Sequence, residues 1–205
     1  MFDISPTEPP SKPIRLMMVL GSVRPRRVGL PVALWAYELA AETAGIEIDF
    51  VDLAELNLPF MDEPSHPEHQ QYTKRHTKAW SARVEAADAF LLVTPEYNES
   101  YSPALKNAID FLHHEWAGKP VGFVSYGDFA GGTRGVAALR PVLASLQLVG
   151  TKTNLAIRNV AGQINDGHFV AFESQRVELC NLLTELRSLT PAIRDDHRSR
   201  VYAIK

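Results

Sequence analysis

Residues 88 to 102 read Asp88-Ala-Phe-Leu-Leu-Val-Thr94 followed by Pro95-Glu96-Tyr97-Asn98-Glu99-Ser100-Tyr101-Ser102. The first half is continuously apolar rather than alternating, the pattern of a strand buried on both faces of a sheet. Pro95 ends it, because proline cannot donate to a sheet ladder. Ser102-Pro103 then opens a helix, with serine as the expected cap and proline at the first helical position. A polar, aromatic and acidic turn therefore sits at the carboxyl end of a buried strand, where open α/β sheets bind ligands.

Strand and helix patterns alternate on either side of this stretch. Ile14 to Leu20 is an apolar run broken only by Arg15. Val28 to Thr43 places Val32, Trp35, Ala36 and Leu39 on one helical face, with Gly45 as its stop. Ile46, Ile48, Phe50 and Val51 alternate in part, which suits a strand near the sheet edge. Leu53 to Gln71 reads mostly as loop, and Tyr72 to Ala87 as a weaker helix that buries Trp80 and Val84. Leu105, Ala108, Ile109 and Leu112 stripe a helix from Pro103 to His114. Val121 to Ser125 forms a strand, Thr133 is placed to cap a helix from Arg134 to Leu148, and Pro141 predicts a kink in it. Thr151 to Ile157 is the fifth strand. Leu179, Leu182, Leu183, Leu186 and Leu189 mark a long last helix, with Cys180 read as a core residue.

Five strand–helix units with no two-residue hairpin signal imply a parallel sheet covered by helices on both faces. Five strands fit a flavodoxin-like three-layer sandwich, a parallel sheet in the order 2-1-3-4-5, better than the six-stranded dinucleotide fold. Residues 14–205 read as one domain and residues 1–13 as a Pro- and Ser-rich flexible tail. In that order, strands one and three are neighbours and a crevice opens between the loops that follow them.

Composition narrows the function classes. The chain has 205 residues, 45% of them hydrophobic and 22% charged, with a net charge of −3. That charge argues against electrostatic binding to nucleic acid and against a strongly acidic electron carrier. One cysteine precludes a disulfide framework within the chain and favours a reducing, cytoplasmic setting. No apolar run reaches the ~18 residues of a membrane span, and the first residues lack the apolar segment of a signal peptide. His66 and His69 with Glu68 between them fall in a loop with no pattern to fix a metal, so no metal is expected. No hydrolase elbow is present.

Three loops carry the chemistry. Gly21-Ser22-Val23-Arg24-Pro25-Arg26-Arg27-Val28-Gly29 combines a hydroxyl, arginines and the free amides of a helix N-terminus. Those are the parts of an anion site, although the same residues also suit a solvated turn. It is neither a Walker loop nor a Gly-x-Gly-x-x-Gly turn. In the second loop, Tyr97 and Asn98 suit contact with a flat polar ring, whereas Glu99 and Tyr101 suit the helix dipole and packing. The third, Ser125-Tyr126-Gly127-Asp128-Phe129-Ala130-Gly131-Gly132, allows close backbone approach, although it equally suits an ordinary strand-to-helix loop.

Together these residues resemble the NADPH-dependent FMN reductase family, a flavodoxin-like group that includes quinone, azo-dye and chromate reductases. The matching pieces are Gly21-Ser22-Val23-Arg24, Thr94-Pro95-Glu96-Tyr97-Asn98, Ala104-Leu105-Lys106-Asn107-Ala108, Gly118-Lys119-Pro120-Val121 and Gly131-Gly132. The resemblance implies FMN as cofactor, with NADPH or NADH as co-substrate. Ser22 and Arg24 would hold the phosphate. Pro95, Glu96, Tyr97 and Asn98 would line the ring and ribityl chain, with the Asn98 region facing the reactive nitrogen. Ser125, Tyr126 and Gly127 would meet the pyrimidine edge, and Gly131 and Gly132 would shape that loop. Arg26, Arg27 and Gly29 stand where the family commonly has a further small hydroxyl or amide residue. Arg24, Arg26, Arg27 and Arg134 are open to a nicotinamide phosphate, although simple exposure or contact with FMN suits each of them better.

The implied activity is hydride transfer from NAD(P)H to flavin and on to a small-molecule acceptor such as free flavin, a quinone or an azo compound. No catalytic side chain is required, since the flavin carries the chemistry. The alternative is a non-enzymatic flavodoxin-type carrier or a flavin-binding regulator. The family implies a homodimer or homotetramer without nucleic-acid or membrane partners, with Trp116 and Tyr101 as expected contacts.

Overall fold

The computed structural model describes residues 12–203, with side chains described as far as Thr190; the tail expected over residues 1–13 lies almost wholly outside the described residues. Four seven-residue strands form the centre of the sheet: β1 (Ile14–Leu20), β2 (Ile46–Asp52), β3 (Ala89–Pro95) and β4 (Pro120–Tyr126). Two short strands, β5 (Val149–Gly150) and β6 (Leu155–Ile157), complete the sheet. The order is β2-β1-β3-β4-β5, all parallel, with β6 also paired to β4. β3 and β4 are buried at every residue, as their continuous apolar runs require, whereas edge strand β2 is mostly half-buried.

The helices are α1 (Gly29–Ala41), α2 (Leu53–Leu56), α3 (Arg75–Glu85), α4 (Pro103–Asp110), α5 (Thr133–Ser145) and α6 (Glu173–Ala203). Side chains alternate along β1, and two cores result. Leu16, Met18 and Leu20 join Val32 and Ala36 of α1 and Leu182 and Leu186 of α6. Met17 and Val19 join Trp80 of α3, Leu105 and Ile109 of α4 and Leu139 of α5. Trp116, expected at a subunit contact, is instead 3% exposed within this second core, its indole donating to the Ile109 carbonyl. Cys180, expected in the core, is exposed: the apolar stripe of α6 runs through Leu179, Leu182, Leu183 and Leu186 and leaves position 180 on the other side.

The fifth strand is interrupted. β5 pairs with the start of β4 and β6 with its end. Between them Asn154 Oδ1 accepts the Phe123 N–H at 3.0 Å, so a side chain takes the place of strand backbone. The Glu185 carboxylate of α6 accepts from the Lys152 and Thr153 amides at 2.7 and 2.9 Å, drawing the segment outward.

Two turns depart from the expected pattern. Asp166 and Gly167, both at positive φ, join β7 (Ile164–Asn165) to β8 (His168–Phe169) as a small antiparallel hairpin, the Asp-Gly signal that the strand count passed over. The expected cap of α4 also does other work. Ser102 Oγ donates to the Gly21 carbonyl at 2.5 Å rather than capping its own helix, and thereby ties the helix start to the end of β1. Thr133 is likewise not a side-chain cap: its hydroxyl donates to Ala130 O, and Gly132 occupies the N-cap position of α5.

The 57–74 segment is stitched down by Glu63. Its carboxylate accepts from Thr73 N, Thr73 Oγ1 and Lys74 N at 2.8, 2.9 and 2.9 Å, supplying the cap that Lys74 cannot give α3. Desolvation works upward on this carboxyl, but the hydrogen bonds outweigh it and hold it down to about 2. A carboxyl depressed by folding contributes stability above its unfolded value and loses it as pH falls through the folded one. Glu63→Gln is therefore expected to destabilise the fold at neutral pH, and the gap to the parent should close between pH 4.5 and about 2. Urea denaturation at stepped pH checks this; a gap unchanged across that window contradicts the assignment.

Candidate functional site

The carboxyl ends of β1, β3 and β4 bring the three loops together. Gly21 N donates to Val93 O at 2.8 Å, so the first loop departs from a point fixed against β3. Between Ser22 and Val28 only a tight turn at residues 25–26 is formed, and among the described residues no amide there donates to a backbone carbonyl of another element. α1 then starts at Gly29 with no side-chain cap. Unpaired amides leading into a helix N-terminus make a concentration of donors and positive potential.

Side chains converge on the same place. Ser22 is buried, and its hydroxyl lies 2.8 Å from the Tyr97 hydroxyl, across from the turn after β3. The Arg24 guanidinium lies 5.9 Å from the Tyr97 ring centroid, within cation–π range. Arg27 is not free: it pairs with the buried Asp52, whose other oxygen accepts the Ala54 amide at 2.9 Å. That pairing ties the first loop to the end of β2 and removes Arg27 from the free cations, leaving Arg24 and Arg26, both exposed, on the loop.

Tyr126, the last residue of β4, is 3% exposed, and among the described residues its hydroxyl makes no hydrogen bond of ordinary geometry, with the Ser22 hydroxyl as its polar neighbour. The phenol reaches the start of α1. A Cβ built on Gly29 would lie 2.0 Å from the Tyr126 oxygen, so only glycine leaves it room. Burial pushes the phenol well above its ordinary range, with the neighbouring Tyr97 adding to the rise and Ser22, Arg27 and Arg24 opposing it. Tyr126 thus stays protonated at neutral pH, as a donor.

The turn after β3 is a tight hairpin. Tyr97 and Ser100 exchange two backbone hydrogen bonds, each 2.9 Å, with Asn98 and Glu99 at φ +49° and +63° between them. Glu96 is engaged at the start of α5: its Oε2 accepts the Arg134 amide at 3.1 Å. The Arg134 guanidinium meets Glu99 at 2.7 Å, so the arginine left open to a nicotinamide phosphate is engaged within the protomer.

The loop after β4 is pinned from within. Ser125, buried, donates to Gly131 O at 2.8 Å, and Gly127 N donates to Ile157 O at 3.1 Å. Gly132 sits at φ +85°, where a Cβ would come 2.7 Å from Tyr126 N. The side chains of Ser125 and Tyr126 therefore point to different places: Ser125 braces its own loop, while Tyr126 reaches the first loop. No group of three or more potential metal ligands is assembled among the described residues, and no helix there is long and apolar enough to cross a membrane.

Three features of the site were not read from sequence: the Arg27–Asp52 pair, the reach of Tyr126 to Gly29, and the double use of Arg134. Only the first had a local signal, an acid at the end of a strand beside an arginine-rich loop.

Comparison with known proteins bears on this arrangement. The sequence is 42% identical over 120 residues to an NAD(P)H-dependent FMN reductase of Schizosaccharomyces pombe, covering 58% of this chain and 60% of that protein. It is 37% identical over 174 residues to an NAD(P)H-dependent FMN reductase of a Nectria species, covering 79% and 86%. Among solved structures, the NAD(P)H:acceptor oxidoreductase FerB of Paracoccus denitrificans superposes with a TM-score of 0.70 at 21% identity, over 87% of this chain and 98% of that one, which speaks to the fold. The family described as NADPH-dependent FMN reductase matches residues 14–162, and the chain belongs to it.

Proposed function

We propose that the protein is an FMN-dependent NAD(P)H oxidoreductase that passes electrons on to a small-molecule acceptor such as free flavin, a quinone or an azo compound. The observation that carries this is the convergence of the buried Tyr126 and Ser22 hydroxyls and Arg24 on the loop leading into α1. A phosphate monoester bears up to two negative charges and several acceptor oxygens, and those donors complement it. Relatives named for quinone and azo-dye reduction support the range of acceptors.

Bound FMN supplies two-electron chemistry between a nicotinamide and the acceptor. The chain's own residues bind and orient. Ser22, Arg24 and Tyr126 would hold the phosphate end. Pro95, Glu96, Tyr97 and Asn98 would border the ring, with the Asn98 and Glu99 amides at the hairpin tip free of backbone partners among the described residues. Gly127, Gly131 and Gly132 would keep the third loop close to the ring edge, with Ser125 bracing it. No side chain is assigned an acid or base role. We further propose a cytoplasmic setting, in keeping with the single cysteine, and a homodimer or homotetramer, in keeping with the family.

Anaerobic addition of NADPH or NADH to the FMN-loaded protein should bleach the flavin absorbance; persistence of the oxidised spectrum with both nucleotides rules out the reductase reading. Arg24→Ala is expected to weaken FMN binding by ~1.5–3 kcal/mol, the range for hydrogen bonds to charged groups, and an unchanged Kd removes Arg24 from the site. Tyr126→Phe separates phosphate from ring contacts. It should weaken FMN while sparing riboflavin. Equal loss for both ligands, measured by fluorescence titration, returns Tyr126 to the ring.

A further inference from the structure

The hairpin after β3 carries a residue that its geometry disfavours. A two-residue turn with both central φ angles positive suits asparagine and glycine, yet its second position is Glu99 at φ +63°. Backbone strain of this kind points to a use for the side chain. The Glu99 carboxylate accepts from Arg134 Nη1 at 2.7 Å, and the same nitrogen lies 3.7 Å from Glu96 Oε1. Glu96 Oε2 in turn accepts the Arg134 backbone N–H at 3.1 Å. One turn thus grips Arg134 through main chain and side chain together. The next residue, Gly135, lets the Ser100 carbonyl approach so closely that a Cβ there would lie 2.9 Å from it.

The two ends of the hairpin are therefore held by different partners. Tyr97 ties it to the first loop through Ser22, and Glu96 and Glu99 tie it to the start of α5. What lies between the anchors is the tip, whose amides have no backbone partner among the described residues. The electrostatics follow from the same contacts. Two carboxylates and one guanidinium leave one negative charge beside the crevice, and loss of the arginine would leave two.

We propose that Arg134 is a positioning residue for the flavin: acting through Glu96 and Glu99, it fixes the tip amides of the 97–100 hairpin and limits the negative charge beside the ring. This rests on the FMN reading above. Negative charge disfavours the electron density that the ring gains on reduction, so the arginine holds the reduction potential up. The ion pair is partly exposed, with side-chain exposures of 49% for Arg134 and 73% for Glu99, so its effect is largest at low salt.

The test is FMN titration and anaerobic dye-equilibrated redox titration of the full chain at low ionic strength, for the parent, Arg134→Met, Arg134→Lys and Glu99→Gln. Arg134→Met is expected to weaken oxidised FMN several-fold and reduced FMN tenfold more, a potential lower by about 30 mV for the two-electron couple. Glu99→Gln should raise the potential. Arg134→Lys keeps the charge but not the planar fork, so it should restore the potential and leave FMN binding weakened. A potential in Arg134→Met within twofold of parent, about 9 mV, overturns the proposal even if affinity falls, because a merely structural role weakens both redox states alike. Lysine restoring both properties also overturns it, leaving charge alone. Should Arg134→Met not fold, Glu99→Gln, altered at an exposed side chain, decides the matter: an unchanged or lowered potential overturns the proposal. A parent protein that binds no FMN defeats the FMN reading and this inference together, whereas normal parent binding with unmoved variants defeats this inference alone.

Discussion

The pairing of β1 with β3, register Leu16 with Ala89 through Leu20 with Val93, is the constraint on which the site depends. Both strands are shielded by helices on either face, so the ladder cannot slip without turning apolar side chains away from their cores. Two further contacts carry the register past the strand ends. Gly21 N donates to Val93 O, and Ser102 Oγ donates to Gly21 O. The first loop and the hairpin after β3 therefore leave the sheet at a fixed separation. The Ser22–Tyr97 hydroxyl contact at 2.8 Å is a consequence of that separation.

From this frame the site is assembled by polar groups that reach across loops. Arg27 leaves the first loop for Asp52 at the end of β2, Tyr126 leaves β4 for the start of α1, and Glu96 leaves the hairpin for the first amide past Thr133. Each is a contact between elements distant in the chain. Among the described residues they leave a particular set of donors unused by other elements: amides of the first loop and of the hairpin tip, with the buried Tyr126 hydroxyl beside them. Those unused donors, rather than an acid–base pair, are what the site offers a ligand.

Much of this was legible locally. The buried strand at 89–95 follows from an unbroken apolar run, and the faces of α1 and α6 follow from helical spacing at Val32, Trp35, Ala36 and Leu39 and at Leu179, Leu182, Leu183 and Leu186. Side-chain partners were not legible in the same way. Ser102 and Thr133 both stand where caps are expected, yet each donates to a carbonyl elsewhere, because capping competes with other acceptors that folding brings near. Cys180 and Trp116 exchanged places relative to expectation for a simpler reason. A helical position is buried or exposed according to its angle around the axis, and a residue after a helix according to the layer onto which the chain turns.

The sequence alone carried the five strand–helix units and the three loops at the carboxyl edge, because periodicity and turn chemistry are local properties, and the order of the sheet followed from the fold class those units fit. It also carried the family motifs, whose order along the chain needs no structure to read. The tertiary structure alone decided which donors remain free. Arginines at 24 and 27 are equivalent in composition, yet Asp52 from another strand neutralises only the second. Tyr126 and Ser125 are neighbours, yet their side chains leave β4 on opposite faces, one toward α1 and one toward its own loop. Pairing across the chain is set by the packed arrangement, and that pairing separates a binding group from a bracing one.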